Sequence, residues 1–350
     1  EMADQVPAEV VGERYLRQIE AVTADQVAAA ARTYLRPENR TVVVLAPSNA
    51  VAAAAAAPGP TAPAFTRTAL PNGIPVIVRE DHRLPFVHVT AVLGGGLLQE
   101  EEANNGITQL QSDLLTRGTP TRTAEAIATE VEQLGASLSP FAGRNSFGLT
   151  AQCLSSDLDE LMTLFADCLL RPSFPEDELA KQRQMQLAQI QQQQEQPMFH
   201  AQDQLRGLLY PQHPYRFNLL GRAESVNAVG RADLQARHSR LLSASNLVLA
   251  VFGDVTAAEA QALAARHFAA VPRSPAPAPA GRIGEAALPA RRDSRQPREQ
   301  AIVLVGWPGV GLKDPRWDAV QVLARALSGL SSDLGIEIRD KGRGPACIYW

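Results

Sequence analysis

Apolar and polar residues alternate in short runs through the central part of the chain, residues 65–271. In "FTRTALPNGIPVIVRE", two such runs flank Asn72-Gly73, a pair that favours a tight hairpin turn. The run "PFVHVTAVLGGG" is continuous, which predicts a strand buried on both faces. The segment "ASLSPFAGRNSFGLTAQCL" predicts another hairpin, and "NLVLAVFG" predicts a strand that closes this block.

Segments with helical periodicity separate these strands. The stretch "GITQLQSDLLTRGT", from Gly106 to Thr119, predicts an amphipathic helix between two glycines. A second helix is predicted from about Thr123 to Leu134, and further helices near 157–170, 175–209 and 231–243. Strands and helices mixed in this order predict an α+β domain.

Two low-complexity segments rich in alanine and proline, 49–64 and 272–299, divide the chain. Such segments cannot build a core and are typical of extended linkers. After the second one, "QAIVLVGWPG" predicts a strand and "DPRWDAVQVLARALSG" a helix.

An internal repeat connects the two sides of the first linker. The segment "IEAVTADQVAAAARTYLRPENRTVVVLA" from Ile19 matches "VNAVGRADLQARHSRLLSASNLVLAVFG" from Val226 without a gap. Each copy predicts a helix, a turn at asparagine and an apolar strand. Either the chain contains two copies of one domain type, or two helix–strand units are alike by chance.

Composition excludes several classes of protein. A chain of 350 residues is long enough for two domains, and its net charge of −4 with scattered basic residues does not indicate nucleic-acid binding. No apolar run approaches the roughly 20 residues that span a bilayer. The three cysteines are too widely spaced for a disulfide framework or a zinc ribbon. Cys153 and Cys168 lie in apolar runs and are expected to be buried thiols. The ends, "EMADQVPAEVV" and "PACIYW", suggest a piece of a longer protein.

The helix at Gly106 has the spacing of a metal site but not its chemistry. Gln109, Ser112 and Asp113 stand at i, i+3 and i+4, and are therefore expected on one face. Their side chains are an amide, a hydroxyl and a single carboxylate, whereas zinc prefers imidazole, thiolate and carboxylate ligands. None of the six histidines pairs at i and i+4.

Several segments, in this order, resemble the pitrilysin/insulinase family of zinc peptidases, which includes the mitochondrial processing peptidases. The matching segments are "TALPNGIPVIVREDHRLPFVHVTAVLGGGLLQEEEANNGITQL", "HPYRFNLLGRAESVNAV", "SASNLVLAVFGDV" and "LSGLSSDLGIEIRDKGRG". The resemblance implies repeated α+β domains, each with an antiparallel-rich mixed sheet and helices on one face.

The resemblance also implies where the family's zinc site would lie. The family carries H-x-x-E-H, in which two histidines bind zinc and the glutamate activates a water, with a third glutamate ligand about 76 residues further on. Gln109 and Asp113 fall on the histidines, Ser112 on the glutamate and Gln189 on the third ligand. This module is therefore expected to bind no zinc and to be inactive alone.

A domain organisation follows from the repeat and the resemblance together. Residues 1–48 are expected to be the C-terminal tail of one pitrilysin-like domain, and 65–271 a complete domain with a degenerate metal site. Residues 300–350 would begin a further domain, with 49–64 and 272–299 as linkers.

The expected function is that of a non-catalytic half, which closes a chamber and helps to bind an extended peptide. A zinc-containing catalytic module would be its partner, fused in the same chain or separate.

Family members place an arginine and a tyrosine near the scissile peptide. Here Arg339 matches the arginine, and Tyr349 would match the tyrosine only if this chain has a short insertion between the two positions. The alternative is a structural or binding protein of the same fold without a proteolytic role. The sequence does not give the compartment; related bacterial chains are often exported, which makes the periplasm a first guess.

Overall fold

The computed structural model describes residues 21, 23–34, 65–275, 278, 290–295 and 301–327. The chain divides into two units, Glu1–Thr61 and Ala62–Trp350. In the first unit, the described helix is α1, Ala24–Tyr34.

A six-stranded mixed sheet organises the second unit. Its strands are β1 Thr66–Ala69, β2 Pro75–Glu80, β3 Phe86–Gly94, β4 Ser137–Ala142, β5 Ser146–Leu154 and β6 Leu247–Gly253. Their order is β1-β2-β6-β3-β5-β4, and only the β2–β6 pair is parallel. Both predicted hairpins are present, and Gly73 has the positive φ of 93° that the first turn requires. The closing strand β6 lies in the middle of the sheet, between β2 and β3.

Nine helices of the second unit are described. They are α2 Ile107–Leu114, α3 Ala124–Gln133, α4 Leu158–Leu170, α5 Glu176–Glu195, α6 Pro197–Leu209, α7 Ala223–Ala228, α8 Arg231–Leu241, α9 Ala257–Phe268 and α10 Trp317–Leu327. Short 3₁₀ turns precede α2 and lie at Ser155–Asp157 and Pro214–Arg216.

The main core lies between one face of the sheet and helices α3, α4 and α9. Alternate residues such as Val87, Val89 and Ala91 of β3 are fully buried in it. On the other face of this strand, Phe86 and His88 are exposed and Thr90 is half-buried. The prediction that β3 is buried on both faces is therefore wrong, because the described helices of the core cover only one face.

Three further predictions are corrected. The helix predicted over 175–209 is two helices, because Pro197 lacks the N–H that a continuous helix needs and starts a new one. The helix that was expected to reach Thr119 ends at Leu114. Residues 301–310 form no strand, since no described segment pairs with them.

The internal repeat is reflected in the helix bounds. Ala24 of α1 corresponds to Arg231 of α8 at the repeat distance of 207 positions, and Tyr34 corresponds to Leu241. Both helices have 11 residues. The repeated segments thus form the same element with the same length.

Candidate functional site

A second core cluster fixes helix α2 against helices α5 and α8. Ile107, Leu110 and Leu114 of α2 pack in it, and the other helices contribute Leu179, Ile190 and Leu234. The spacing of 107, 110 and 114 gives α2 one apolar stripe, as its sequence predicts. The remaining sides of the short helix carry its polar residues.

A buried carboxylate caps the N-terminus of α2. Glu100 is 3% exposed and accepts hydrogen bonds from the backbone N–H groups of Gly106 and Thr108, at 2.8 and 2.9 Å, and from Asn105 Nδ2 at 2.8 Å. Burial raises the pKa of this carboxyl, while these hydrogen bonds act to lower it. The negative charge also suits the positive end of the helix dipole.

The chain enters α2 at Gly106, where any other residue would introduce strain. Gly106 has φ 96°, and a Cβ there would lie 2.6 Å from the carbonyl oxygen of Leu220. Gln186 Nε2 donates to the carbonyl oxygens of Gly106 and Leu220, at 3.1 and 2.6 Å. The start of α2 is therefore tied both to α5 and to the segment before α7.

A buried polar network holds the inner side of α2. Arg237 of α8, 4% exposed, donates to Gly96 O at 3.0 Å, Thr108 Oγ1 at 2.7 Å and Gln111 Oε1 at 3.1 Å. Gln111 Nε2 lies 3.2 Å from His238 Nδ1, and burial lowers the pKa of that imidazole to about 4. Sequence reasoning missed this network, although Thr108 and Gln111 at i and i+3 mark a polar stripe that faces inward.

Gln109 and Asp113 lie on the outer side of α2 and bond to each other. Gln109 Nε2 lies 3.1 and 3.0 Å from the two carboxylate oxygens of Asp113 and donates to them. Both residues are half-buried. Partial burial raises the pKa of Asp113, which the bond from Gln109 and the charge of Arg117 act to lower. The two positions that match the family's histidines thus satisfy each other.

Ser112 is more deeply buried than Gln109 and Asp113. It is 0% exposed, and its Oγ has no hydrogen-bond partner among the described residues. Of the three residues that the helical spacing places on one face, Ser112 is thus the one that is fully buried.

Gln189 lies on α5, which runs antiparallel to α2. Gln186 bonds Gly106 at the start of α2, and Lys181 interacts electrostatically with Arg117, beyond its end. Gln189 follows Gln186 by three residues, less than one turn of α5. Its side chain is exposed. The convergence of Gln189 with Gln109 and Asp113 stays a prediction.

The donors in this region do not suit zinc. Carboxamide oxygens and hydroxyls are weak ligands for zinc, which proteins bind with imidazole, thiolate or carboxylate groups. Asp113 is the one carboxylate among the four positions. No cluster of three or more histidine, cysteine or acidic side chains that could hold a metal occurs in the described ranges.

The other candidate residues are two histidines and the two expected substrate contacts, Arg339 and Tyr349. His82 bonds Asp254 at 2.7 Å near the end of the sheet, and His213 Nδ1 accepts from Tyr215 N at 3.2 Å. Arg339 and Tyr349 lie outside the described residues.

A cavity of about 510 Å³ opens beside the C-terminal half of α5. Ile190 and Gln193 of α5 and Phe199 and Asp203 of α6 contribute to its wall. Gly207 of α6 also lines it, and nothing lies within 4 Å of a Cβ placed there. The cavity thus begins next to the third ligand position, and sequence reasoning did not identify it.

Comparison with known families gives two matches along the chain. A family model described as insulinase (peptidase family M16) matches residues 75–222. A model described as peptidase M16 inactive domain matches residues 228–347. Together they span most of the chain.

Individual relatives agree with these matches. An uncharacterized zinc protease of Mycobacterium leprae is 33% identical over 286 residues, 78% of this chain and 62% of that protein. The mitochondrial-processing peptidase subunit beta of Blastocladiella emersonii is 25% identical over 206 residues, 59% of this chain and 44% of that protein. The chain thus matches less than two thirds of the length of either relative.

The fold agrees with a solved structure as well. The crystal structure of a peptidase M16 inactive domain from Pseudomonas fluorescens superposes with a TM-score of 0.69 at 27% identity, over 80% of this chain and 68% of that one. Within the described residues, no helix is both long and apolar enough to cross a bilayer. The fold class and the family resemblance drawn from the sequence are confirmed: the chain belongs to the insulinase family of peptidases, family M16.

Proposed function

We propose that this chain is a non-catalytic half of an M16 metallopeptidase assembly. The observation that carries the proposal is the bond between Gln109 and Asp113, which occupies the two positions of the family's zinc-binding histidines with an amide and a carboxylate. The match to an M16 inactive domain supports the same assignment.

In this proposal zinc and the catalytic water belong to another module. Ser112 replaces the glutamate that would activate the water, and its buried hydroxyl has no useful basicity at neutral pH. The partner is a catalytic module that carries H-x-x-E-H, either fused in the full-length protein or present as a separate subunit. This half has no cofactor of its own.

The role of this half is to close the chamber and to help hold an extended peptide. The cavity beside α5 supports this role, because Ile190 and Phe199 offer apolar contacts and Gln193 and Asp203 offer polar ones. Arg339 and Tyr349 remain proposed substrate contacts from the following domain. The proposal keeps residues 65–271 as a complete pitrilysin-like domain, 1–48 as the tail of a preceding one and 300–350 as the start of another.

The experiment combines the purified chain with the catalytic module encoded upstream or in an adjacent gene. Hydrolysis of a quenched fluorescent peptide is measured for the chain alone, the module alone and the mixture. We expect hydrolysis by the mixture only, or at least about tenfold above that of the module. Hydrolysis by the chain alone refutes the proposal, as does a hydrolysis rate of the module that is the same with and without the chain.

A cavity variant tests peptide binding. Gly207→Leu fills the cavity without a clash at Cβ, and Gly309→Leu is the matched control, because nothing lies within 4 Å of a Cβ there either. We expect Gly207→Leu alone to raise the KM of the mixture. Equal KM values for the two variants would show that the cavity does not contribute to peptide binding. If no catalytic module exists and the chain still occurs in a stable complex, the structural alternative is correct.

A further inference from the structure

The linker 272–299 reaches the cavity beside α5. Most of the cavity wall comes from α5, α6 and residues 216–224, but Arg292 of the linker also lines it. Two residues further on, Ser294 Oγ lies 3.3 Å from Nε2 of His200, which lines the cavity as well. We call residues 290–295 the strap, because this part of the linker passes along the rim of the cavity.

Alternate side chains of the strap have different partners. Arg292 and Ser294 lie at the cavity. Arg291 and Asp293 bond to each other instead, with Arg291 Nε 3.1 Å from a carboxylate oxygen of Asp293. This alternation is typical of an extended chain. The strap therefore presents to the cavity rim the same kind of groups that an extended peptide would present.

The linker is fixed on both sides of the strap. Before the strap, Gln99 Nε2 donates to the carbonyl oxygen of Ala278 at 2.7 Å. After the strap, the backbone at Gly306 lies against the end of α6, since a Cβ there would be 3.0 Å from Leu209 Cδ1. Because both neighbouring segments are anchored, the local concentration of the strap at the cavity is high.

The strap itself is held weakly and leaves part of the cavity unfilled. Its six described residues are all exposed, and its side chains are tied to α6 through the contact of Ser294 with His200. Its sequence, Ala-Arg-Arg-Asp-Ser-Arg, contains no large apolar side chain, whereas Ile190 and Phe199 form part of the cavity wall. A ligand with a bulky apolar side chain therefore gains contacts that the strap cannot make.

We propose that the strap is an autoinhibitory cover, which closes the rim of the cavity until an extended peptide with a bulky apolar side chain displaces it. The strap and the peptide compete for the same rim, so the peptide binds only to the fraction of chains in which the strap is detached. The inference rests on the proposed function for its ligand, since it takes the cavity to be a peptide site. The cover itself is measured without any peptide.

Two pairs of substitutions separate the cavity contacts of the strap from its flexibility. The release variant carries Arg292→Gly and Ser294→Gly, which removes both side chains at the cavity. The matched control carries Arg291→Gly and Asp293→Gly, which adds the same two glycines and leaves the cavity contacts in place. Ser294→Ala alone is the mildest change. Circular dichroism checks folding, which exposed linker positions are expected to tolerate.

The first measurement asks whether the strap covers the cavity. Gly207→Cys, added to each chain, places a thiol in the cavity wall where a Cβ has free space. Its reaction with a bulky maleimide dye is followed by mass spectrometry of the fragment that contains residue 207. We expect the release variant to react at least about fivefold faster than the parent chain, Ser294→Ala at an intermediate rate, and the control at the rate of the parent. Gly309→Cys, where a Cβ also has free space, should react equally fast in all four chains.

The second measurement asks whether the cover inhibits peptide binding. The probe is a fluorescent synthetic peptide of about ten residues, with two leucines at alternate positions among serine and glutamine residues. Its affinity for each chain, without Gly207→Cys, is measured by fluorescence anisotropy. We expect the Kd of the release variant to be at least about threefold lower than that of the parent chain, and the Kd of the control to equal that of the parent.

Faster labelling together with tighter peptide binding, in the release variant and not in the control, supports the inference. Equal labelling rates in the release variant, the control and the parent overturn it, whatever the peptide does. Faster labelling with equal peptide affinities overturns it too, because the cover then does not inhibit. Faster labelling while no chain binds the peptide refutes the peptide role of the cavity in the proposed function, and the inhibition with it. If the release variant does not fold, Ser294→Ala against the parent chain decides between the same results.

Discussion

Replacing Arg237 with methionine should destabilise the fold strongly while leaving the volume of the side chain nearly unchanged. The guanidinium donates three buried hydrogen bonds, to Gly96 O, Thr108 Oγ1 and Gln111 Oε1. Each buried polar group left without a partner costs about 1–3 kcal/mol. Removal of a desolvated charge offsets part of this loss. The expected net loss is therefore about 3 kcal/mol of unfolding free energy.

The assay is urea unfolding followed by circular dichroism. With a slope of about 3 kcal/mol per molar urea, the midpoint should fall by roughly 1 M. Arg240→Met is the matched control, because Arg240 lies one turn further along the same helix and is exposed. The control should change stability by less than about 0.5 kcal/mol. Equal effects of the two substitutions would refute the role of the network in holding α2.

Two further predictions concern protonation and metal binding. Burial lowers the pKa of His238 from 6.5 to about 4. Between these two values the unfolded state binds more protons than the folded state. The free energy of unfolding should therefore decrease by up to about 3 kcal/mol as the pH falls from about 6.5 to about 4. Urea midpoints measured across this range should show the slope, and His238→Asn should flatten it; equal slopes would contradict the assignment. Gln109→His, Asp113→His and Gln189→Glu together should create a zinc site of micromolar or tighter affinity, since two imidazoles and a carboxylate suit zinc with an open position. Zinc titration that finds a folded triple variant no better than the parent chain would mean that the three positions do not converge.

Most of the fold could be predicted because its signals are local. Asn72-Gly73 specifies a hairpin, and Pro197 separates two helices, although the sequence prediction gave its helical pattern more weight. The exposure of one side of β3 could not be predicted in this way. A continuous apolar run in the sequence does not distinguish a strand that is covered on both faces from one that is covered on a single face.

For the candidate site, the sequence predicted only which side chains are neighbours along the helix α2. Gln109 and Asp113 were expected to be neighbours, and the structure bonds them to each other. The full burial of Ser112 depends on which helices pack around α2, and the contact of Gln111 with Arg237 joins residues 126 positions apart. Contacts between such distant residues leave no local pattern in a single sequence.

We propose that this chain, as a non-catalytic half of an M16 assembly, has lost the zinc chemistry of the family. The direct measurement is the metal content of the purified, folded chain after extensive dialysis, determined by elemental analysis together with the protein concentration. Among the four site positions Gln109, Ser112, Asp113 and Gln189, only Asp113 is anionic, so we expect far less than one zinc per chain. About one tightly held zinc per chain would contradict it.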